Sequence, residues 1–497
     1  MRSIVKAGRV LEIPGAASVS GSAAIALHDG HIGDVEAIDP ETLTSVERGL
    51  LAMPALANAH DHGRGIRTTA AGAGDDRLEE WAASLMRHPK VDPYLVAAVS
   101  LARMAESGVA AVNHCHNPQD SGLLYAEAEA VSRAARDVGV RVAFALPFAD
   151  RNPFVYGDLG RLIERLPQED RPPIAAARQR SRAINEALFE RIATLEHGFF
   201  QLQYGPVAPQ WTQSETLKAI AIASAADGRR VHMHLLETER QRQWADAVYP
   251  QGIVRHLDEI GLLTPRLTLA HAVWLRPDEW ALLGERGVTV SVNASSNLRL
   301  RSGLPQTAMI RAGDVAFGVG MDGLSIDDDE DMLRELRLLR LLDGVTGERP
   351  MTPAEVLHAC CVTGRSTIVG GDGGGRIAVG APADMLVLDF AAMSRDYVRD
   401  DFDVTSIVVA RATRRHVRDL YVAGRRIVRE GRCCSVDLPA LENSLAAEAR
   451  RAVAAGDIPG DRIARLQAGI SSFFADGCHC LGEEWTGSVQ NATEPSA

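Results

Sequence analysis

Between about residue 50 and residue 345 the chain alternates two patterns. Short apolar runs of β type are followed by segments whose apolar residues recur every three or four positions, as in repeated β–α units around a parallel sheet. Eight runs qualify as strands: "LLAMPALANAH", "VAAVNHCH", "VRVAFALPF", "FFQLQYGPV", "RRVHMHLL", "RLTLAHAVW", "VTVSVNA" and "VAFGVGMDG". Eight is the number a closed β/α barrel needs. Segments such as "EAEAVSRAARDVG", "SETLKAIAIASAADG" and "PDEWALLGERG" lie between them, each closed by a glycine, and supply the outer helices.

Outside this region the texture changes. Residues 1–50 and 373–432 carry short β-like runs broken by Gly, Asp and Pro, among them "SAAIALHDGHIGDV", "GRIAVGAPADMLVLDF" and "LYVAGRRIVREGR". The two chain ends are therefore expected to join into one small β-sandwich domain beside a barrel over residues 51–372. Residues 433–497 read as a C-terminal helical extension led by the amphipathic "DLPALENSLAAEARRAVAAG". The predicted class is α/β, a (β/α)8 TIM-like barrel with a composite β domain.

Composition narrows the setting. A chain of 497 residues, 46% of them hydrophobic, can bury a core of this size. Its seven cysteines, including the pair Cys433-Cys434 and Cys478-His479-Cys480, are odd in number and too few for a disulfide scaffold. The N-terminus lacks the apolar core of a signal peptide, and nowhere do about 18 uncharged apolar residues run together. A soluble, cytoplasmic protein with no membrane partner is expected. The net charge of −12, without a basic stripe interleaved with aromatics, argues against a nucleic-acid partner.

Candidate chemistry begins at Ala57–Gly65, "ANAHDHGRG". Residues i and i+2 of a strand share a face, so His60 and His62 can converge on one ion. Alone, the pair fits a metal site and a structural role equally well. Its place at the C-terminal end of the first barrel strand favours a site, because barrel enzymes build theirs there. Other strand ends agree: His232 and His234 with Glu237 after strand five, His271 after strand six, Asp322 after strand eight. Each alone has a bland reading as a packed histidine or a capping aspartate. Four strand ends in agreement make coincidence a poor explanation.

At this point the sequence resembles the amidohydrolase superfamily, most closely its branch of metal-dependent deaminases and chlorohydrolases, which includes adenosine-type, guanine-type and triazine-type enzymes. The matching stretches are "PALANAHDHG", "GPVAPQWTQSETL", "HMHLLETERQ", "LAHAVWL", "NASSNLRLRSGLPQ", "GVGMDGLSIDDDEDMLRELRLL" and "GRIAVGAPADMLVLD". They span roughly residues 1–432, and their order is more specific than any one of them. The resemblance implies metal ligands His60, His62, His234 and Asp322. It implies Glu237 as a proton-shuttling carboxylate, His271 as the histidine that orients or activates water, and Asp322 as a proton acceptor as well. The implied cofactor is one divalent ion, zinc first, with iron or manganese as alternatives. A homo-oligomer, a dimer by analogy, is implied too. His232 has no such role in the family and reads as a packed strand residue.

Departures from the family matter. Many relatives bridge two metals with a carboxylated lysine at the end of strand four; "FFQLQYGPV" has none, and Lys218 falls in the next helix, which leaves a mononuclear site. Where several deaminases read Gly-Pro-His, this chain has Gly205-Pro206-Val207, which puts adenosine-like substrates in doubt. His114 and His116, on one face at the end of strand two, are candidate substrate contacts, with packing or a second metal as the alternatives. Arg64 and Arg67 suit either a clamp on an anionic or carbonyl group or a solvated loop. Asn297 either lines the pocket or holds a turn. The acidic run Asp327–Asp331 is read as the N-terminal turn of a helix, not a metal cluster.

The expected function is hydrolytic deamination of a small molecule at a C–NH2 or C=NH carbon of a nitrogen heterocycle or amidine. A cyclic amidase or chlorohydrolase is the alternative within the superfamily. A catalytically silent binding homologue is the alternative outside enzymology.

Overall fold

The apolar runs are strands because they are buried on both faces, which a parallel sheet wrapped by helices requires. In the computed structural model, which describes residues 2–15, 19–177, 179–346, 349–399, 402–456 and 458–482, eight strands form one sheet in sequential order. They are β1 (Leu56–Asp61), β2 (Val109–Cys115), β3 (Arg141–Phe148), β4 (Phe200–Pro206), β5 (Val231–Leu235), β6 (Leu267–His271), β7 (Thr289–Val292) and β8 (Ala316–Val319). Every neighbouring pair is parallel. The ring closes just past β8, where the Asp322 N–H donates to the His60 carbonyl (2.9 Å) and the Met321 N–H to Asn58 Oδ1 (3.0 Å). This is the expected (β/α)8 barrel.

The run "LLAMPALANAH" is two strands rather than one. Leu50–Pro54 pairs antiparallel with Met385–Asp389, and the barrel begins only at Leu56. The run is apolar without a break from Leu50 to Ala57, across the junction, so hydrophobicity carries no mark of the sheet boundary. Around Leu50–Pro54 the chain ends build two sheets. One has three strands, Arg2–Ala7, Ala23–His28 and His31–Ala37; the other has seven, from Arg9–Leu11 to Arg432–Cys433. Alternation assigns their faces: Leu50, Ala52, Met385 and Val387 join Val5, Ile25 and Leu27 in a sandwich core, while Leu51, Met53, Leu386 and Leu388 join the barrel's core. The seven-stranded sheet thus lies between the two cores.

The C-terminal region forms helices Leu438–Ala455 and Gly460–Ala475 and the turn Cys478–Cys480. The first helix is pinned to Pro93–Glu106 by Arg103 Nε on Glu442 Oε1 (2.7 Å), the second to Leu78–Ser84 by Gln467 Nε2 on Ser84 Oγ (2.9 Å). His479 is buried against Gln243 Oε1 (2.9 Å), and no metal-ligand grouping forms around Cys478–Cys480 among the described residues. The acidic run, expected to form the first turn of a helix, instead precedes it: the helix starts just after the run, at Met332, and of the run Asp331 caps it through the Leu333 N–H (3.1 Å), while Asp328 and Glu330 are non-helical with φ of 53° and 55°. All seven cysteines are free, and no helix among the described residues is long and apolar enough to cross a membrane.

Candidate active site

The strand ends turn sharply at or beside the candidate residues. Leu236, His271 and Asp322 have φ of 47°, 71° and 59°, the left-handed region that non-glycine residues rarely adopt. Such strain costs about 1–3 kcal/mol per residue and persists where the surroundings enforce it. Here it falls where the chain leaves β5 and β6 and in the segment after β8.

Six of the residues expected from the sequence meet at this end of the barrel. His60, His62 and Asp322 form one potential ligand group and His60, His234 and His271 a second, each with ligand atoms within 4.8 Å of one another. Asp322 Oδ1 lies 3.0 Å from His60 Nε2 and 2.9 Å from His62 Nε2. Asp322 Oδ2 accepts from Ser296 Oγ at 2.5 Å. His271 Nε2 sits between two carboxylates, 3.7 Å from Glu237 Oε2 and 3.8 Å from Asp322 Oδ2. Glu237 Oε1 accepts from Ser302 Oγ (3.0 Å).

The outward-facing imidazole nitrogens are all engaged. His62 Nδ1 donates to the Cys115 carbonyl (2.8 Å), His234 Nδ1 to the Val207 carbonyl (2.8 Å) and His271 Nδ1 to Asn297 Oδ1 (2.9 Å). Those bonds fix the tautomer and leave each Nε2 with a lone pair facing the centre. His60 Nε2 and His271 Nε2 are buried without a hydrogen-bond partner. Burial also keeps the rings neutral: it lowers the His60 pKa to about 4, lowers that of His62 and holds His234 well below the ordinary range. For Asp322 burial favours the acid, yet His60 and His62 outweigh it and hold the carboxyl well below the usual carboxylate range. Neutral imidazoles with an ionised carboxylate are what a divalent ion of zinc's type requires, so the residues present fit such a group. Burial pushes the Glu237 carboxyl the other way, up to about 7, with His271 opposing.

His232 was read as a packing residue, and the structure gives it a further contact. Its Nε2 lies 2.7 Å from His60 Nδ1, with the rings nearly coplanar at 19° and centroids 4.9 Å apart. His60 is thus held by another imidazole where its neighbours use backbone carbonyls. Period-two alternation put His232 on the His234 face, but not the cross-barrel partner. The expected result of His232→Leu is divalent-ion affinity weakened by about 10–100-fold, the range for lost outer partners of metal-bound histidines, read by competition with a chelator. Unchanged affinity would mean that His232 only packs.

The remaining candidates divide. His114 and His116 are buried and linked, His114 Nε2 to His116 Nδ1 at 3.1 Å and His116 Nε2 to Glu127 Oε2 at 2.7 Å, beside a cavity that also touches His62. Gly63 makes room for them: with φ of 62°, a Cβ there would sit 2.4 Å from the His114 ring. Arg67 is spent on the Asp328 carbonyl. Arg64 Nη1 donates to the Asp322 carbonyl at 3.0 Å, and its guanidinium lies 5.4 Å above the Trp81 ring. Asn297 orients His271, while its own Nδ2 is buried and unpartnered. Asp61 faces away from the centre, as its place between the histidines requires, and ties the turn through the Gly63 N–H (2.8 Å) and the Gly323 N–H (3.1 Å). β4 contains no lysine, and Lys218 lies within the helix Ser214–Asp227.

Known proteins resemble this chain over most of its length. The amidohydrolase family profile matches residues 51–427. A 5-methylthioadenosine/S-adenosylhomocysteine deaminase of Bacillus cytotoxicus is 27% identical over 413 residues, 81% of this chain and 86% of that one. A 5'-deoxyadenosine deaminase of Methanoregula boonei is 30% identical over 350 residues, 68% of this chain and 71% of that one. Among solved structures, an adenosine deaminase from Xanthomonas campestris with bound zinc superposes with a TM-score of 0.74 at 22% identity, covering 91% of this chain and 98% of the other.

Proposed function

The chain belongs to the amidohydrolase family, and on that premise we propose that it is a zinc-dependent aminohydrolase releasing ammonia from a C–NH2 or C=NH carbon of a small nitrogen heterocycle or amidine. The observation that carries the reading is Glu237 and Asp322 flanking His271 at 3.7 and 3.8 Å, next to the four proposed ligands His60, His62, His234 and Asp322. When bound, a divalent ion supplies acidification of water, from a pKa of 15.7 to about 7. The chain's own residues handle the protons. His271, its Nδ1–H given to Asn297, presents Nε2 as an acceptor that orients the attacking water. Asp322 Oδ2, steadied by Ser296, stands ready to take the first proton. Glu237, its carboxyl raised by burial to about 7, exchanges a proton readily near neutral pH and in its acid form delivers one to the departing nitrogen.

Expulsion of ammonia needs that donor and displacement of chloride does not; lactam opening would use it too, and the relatives named as deaminases favour deamination over it. The full set of proposed ligands and proton carriers also speaks against a silent binding homologue. Seven free cysteines suit a reducing compartment, and the proposal places the protein in the cytoplasm. The test is an ammonia-release screen of purines, pyrimidines, pterins, triazines and formimino compounds on the zinc-loaded protein. Release abolished by chelation and restored by zinc is the expected result. Ring opening of lactams or chloride release without ammonia would replace this reading with the amidase or chlorohydrolase one.

A further inference from the structure

The function proposed above leaves Arg64 unused, and this inference rests on that reading while adding what the substrate must carry. A cavity of about 470 Å³ opens against His62, Gly63 and Arg64 and extends over the end of β2. That volume lies in the ~300–1,000 Å³ range of small-molecule sites. Leu85, Met86 and Val96 give it apolar walls, and Ile458, from the link between the two C-terminal helices, adds another.

Arg64 stands at the junction of this cavity and the proposed metal centre, and among the described residues no carboxylate oxygen comes within 4.0 Å of its guanidinium. The neighbouring acids are committed elsewhere. Asp61 accepts from Asn58 Nδ2 (2.8 Å) and from the Gly63 and Gly323 N–H groups, and the Asp322 carboxylate faces His60, His62 and Ser296. Glu127 alone among the lining residues is a carboxylate, and its oxygens take up N–H groups of His116, Gln119 and Asp120. Asp322 and Asp61 act on the guanidinium from beyond ion-pair distance, and a partly buried cation without a direct counter-ion is costly to keep unless a ligand supplies one. Its position is nonetheless built: Nη1 is fixed on the Asp322 carbonyl, Trp81 lies beneath, and a Cβ on Gly323 would come within 3.1 Å of Nη1.

We propose that Arg64 binds an anionic group, carboxylate or phosphate, on a substrate whose apolar part occupies this cavity and whose C–N carbon lies on the other side of Arg64, at Glu237 and His271. The planar fork of an arginine suits both oxyanions through paired hydrogen bonds.

The test uses zinc-loaded wild type, Arg64→Met and Arg64→Lys, with aminopurines and amidines whose side arm ends in a carboxylate, a phosphonate or the neutral methyl amide. Ammonia release and equilibrium binding are measured in parallel, with the melting temperature as a check on folding. Wild type is expected to favour an acidic arm over the neutral one by about tenfold or more, the effect of one charge-assisted contact of roughly 1.4 kcal/mol. Arg64→Met is expected to lose at least about tenfold more on the acidic arms than on the neutral arm, and Arg64→Lys to keep part of the preference. The arm bound more tightly tells carboxylate from phosphate. No preference in wild type, or equal loss on all arms in Arg64→Met, would overturn the proposal. Failure of every compound to release ammonia would count against the aminohydrolase reading alone, because the binding titrations decide the anion anchor without turnover.

Discussion

Glu237→Gln is expected to slow ammonia release by about 10²–10⁴-fold, the usual contribution of a positioned general acid–base. Glutamine keeps the shape and can still accept the Ser302 hydroxyl that now bonds Glu237 Oε1 (3.0 Å), so melting temperature and metal content stay near wild type. What it lacks is a transferable proton 3.7 Å from His271 Nε2. Asp322→Ala goes further, to or beyond the upper end of that range, because one substitution removes a proposed ligand and the proton acceptor together. The two variants separate the roles: the first loses turnover with the ion in place, the second loses both. Equal ion loss in Glu237→Gln would move Glu237 into the ligand set.

Asp384→Asn is expected to destabilise the fold by about 3–5 kcal/mol, the cost of removing one member of a buried ion pair. Asp384 precedes the strand Met385–Asp389 and accepts from Arg365 Nη1 (2.6 Å) and Arg141 Nε (2.8 Å), so it ties the seven-stranded sheet to the start of β3. Burial favours its protonated form, but Arg365 and Arg141 outweigh that and hold the carboxyl below the usual range. A group with its folded pKa depressed stabilises fully above its unfolded value, about 3.9 for aspartate, and loses that contribution as pH falls through the folded value. Denaturant midpoints of wild type and variant should therefore differ by a constant amount near neutrality and converge below about pH 4. A gap that persists in acid would mean that the loss comes from packing.

The barrel was legible because two periodicities, two and about 3.6, alternate eight times over, and the site was legible because period two names the inward face of each strand. His60, His62, His234, His271 and Asp322 all came from that rule and the strand-end position. Where patterning is uniform it stops informing: Leu50–Pro54 and Leu56–Asp61 read as one strand because both sheets bury them completely. Partners across the barrel were out of reach for the same reason. Nothing local to His232 reveals that it meets His60, 172 residues away, and nothing near Ser296 or Ser302 announces the carboxylates they support. Arg64 shows the limit most clearly. Its sequence neighbours allow a solvated loop and a clamp alike, and only the contacts around it show a cation with no carboxylate oxygen within 4.0 Å among the described residues.

Elemental analysis of protein purified without added metal, beside Asp322→Ala prepared identically, puts the proposed site to its most direct test. The expected result is close to one equivalent of a divalent ion, zinc foremost, in the wild type and its loss in the variant, since deprotonated ligands and metal are held together. Less than about a tenth of an equivalent in wild type, or full retention in Asp322→Ala, would contradict a mononuclear centre built from His60, His62, His234 and Asp322.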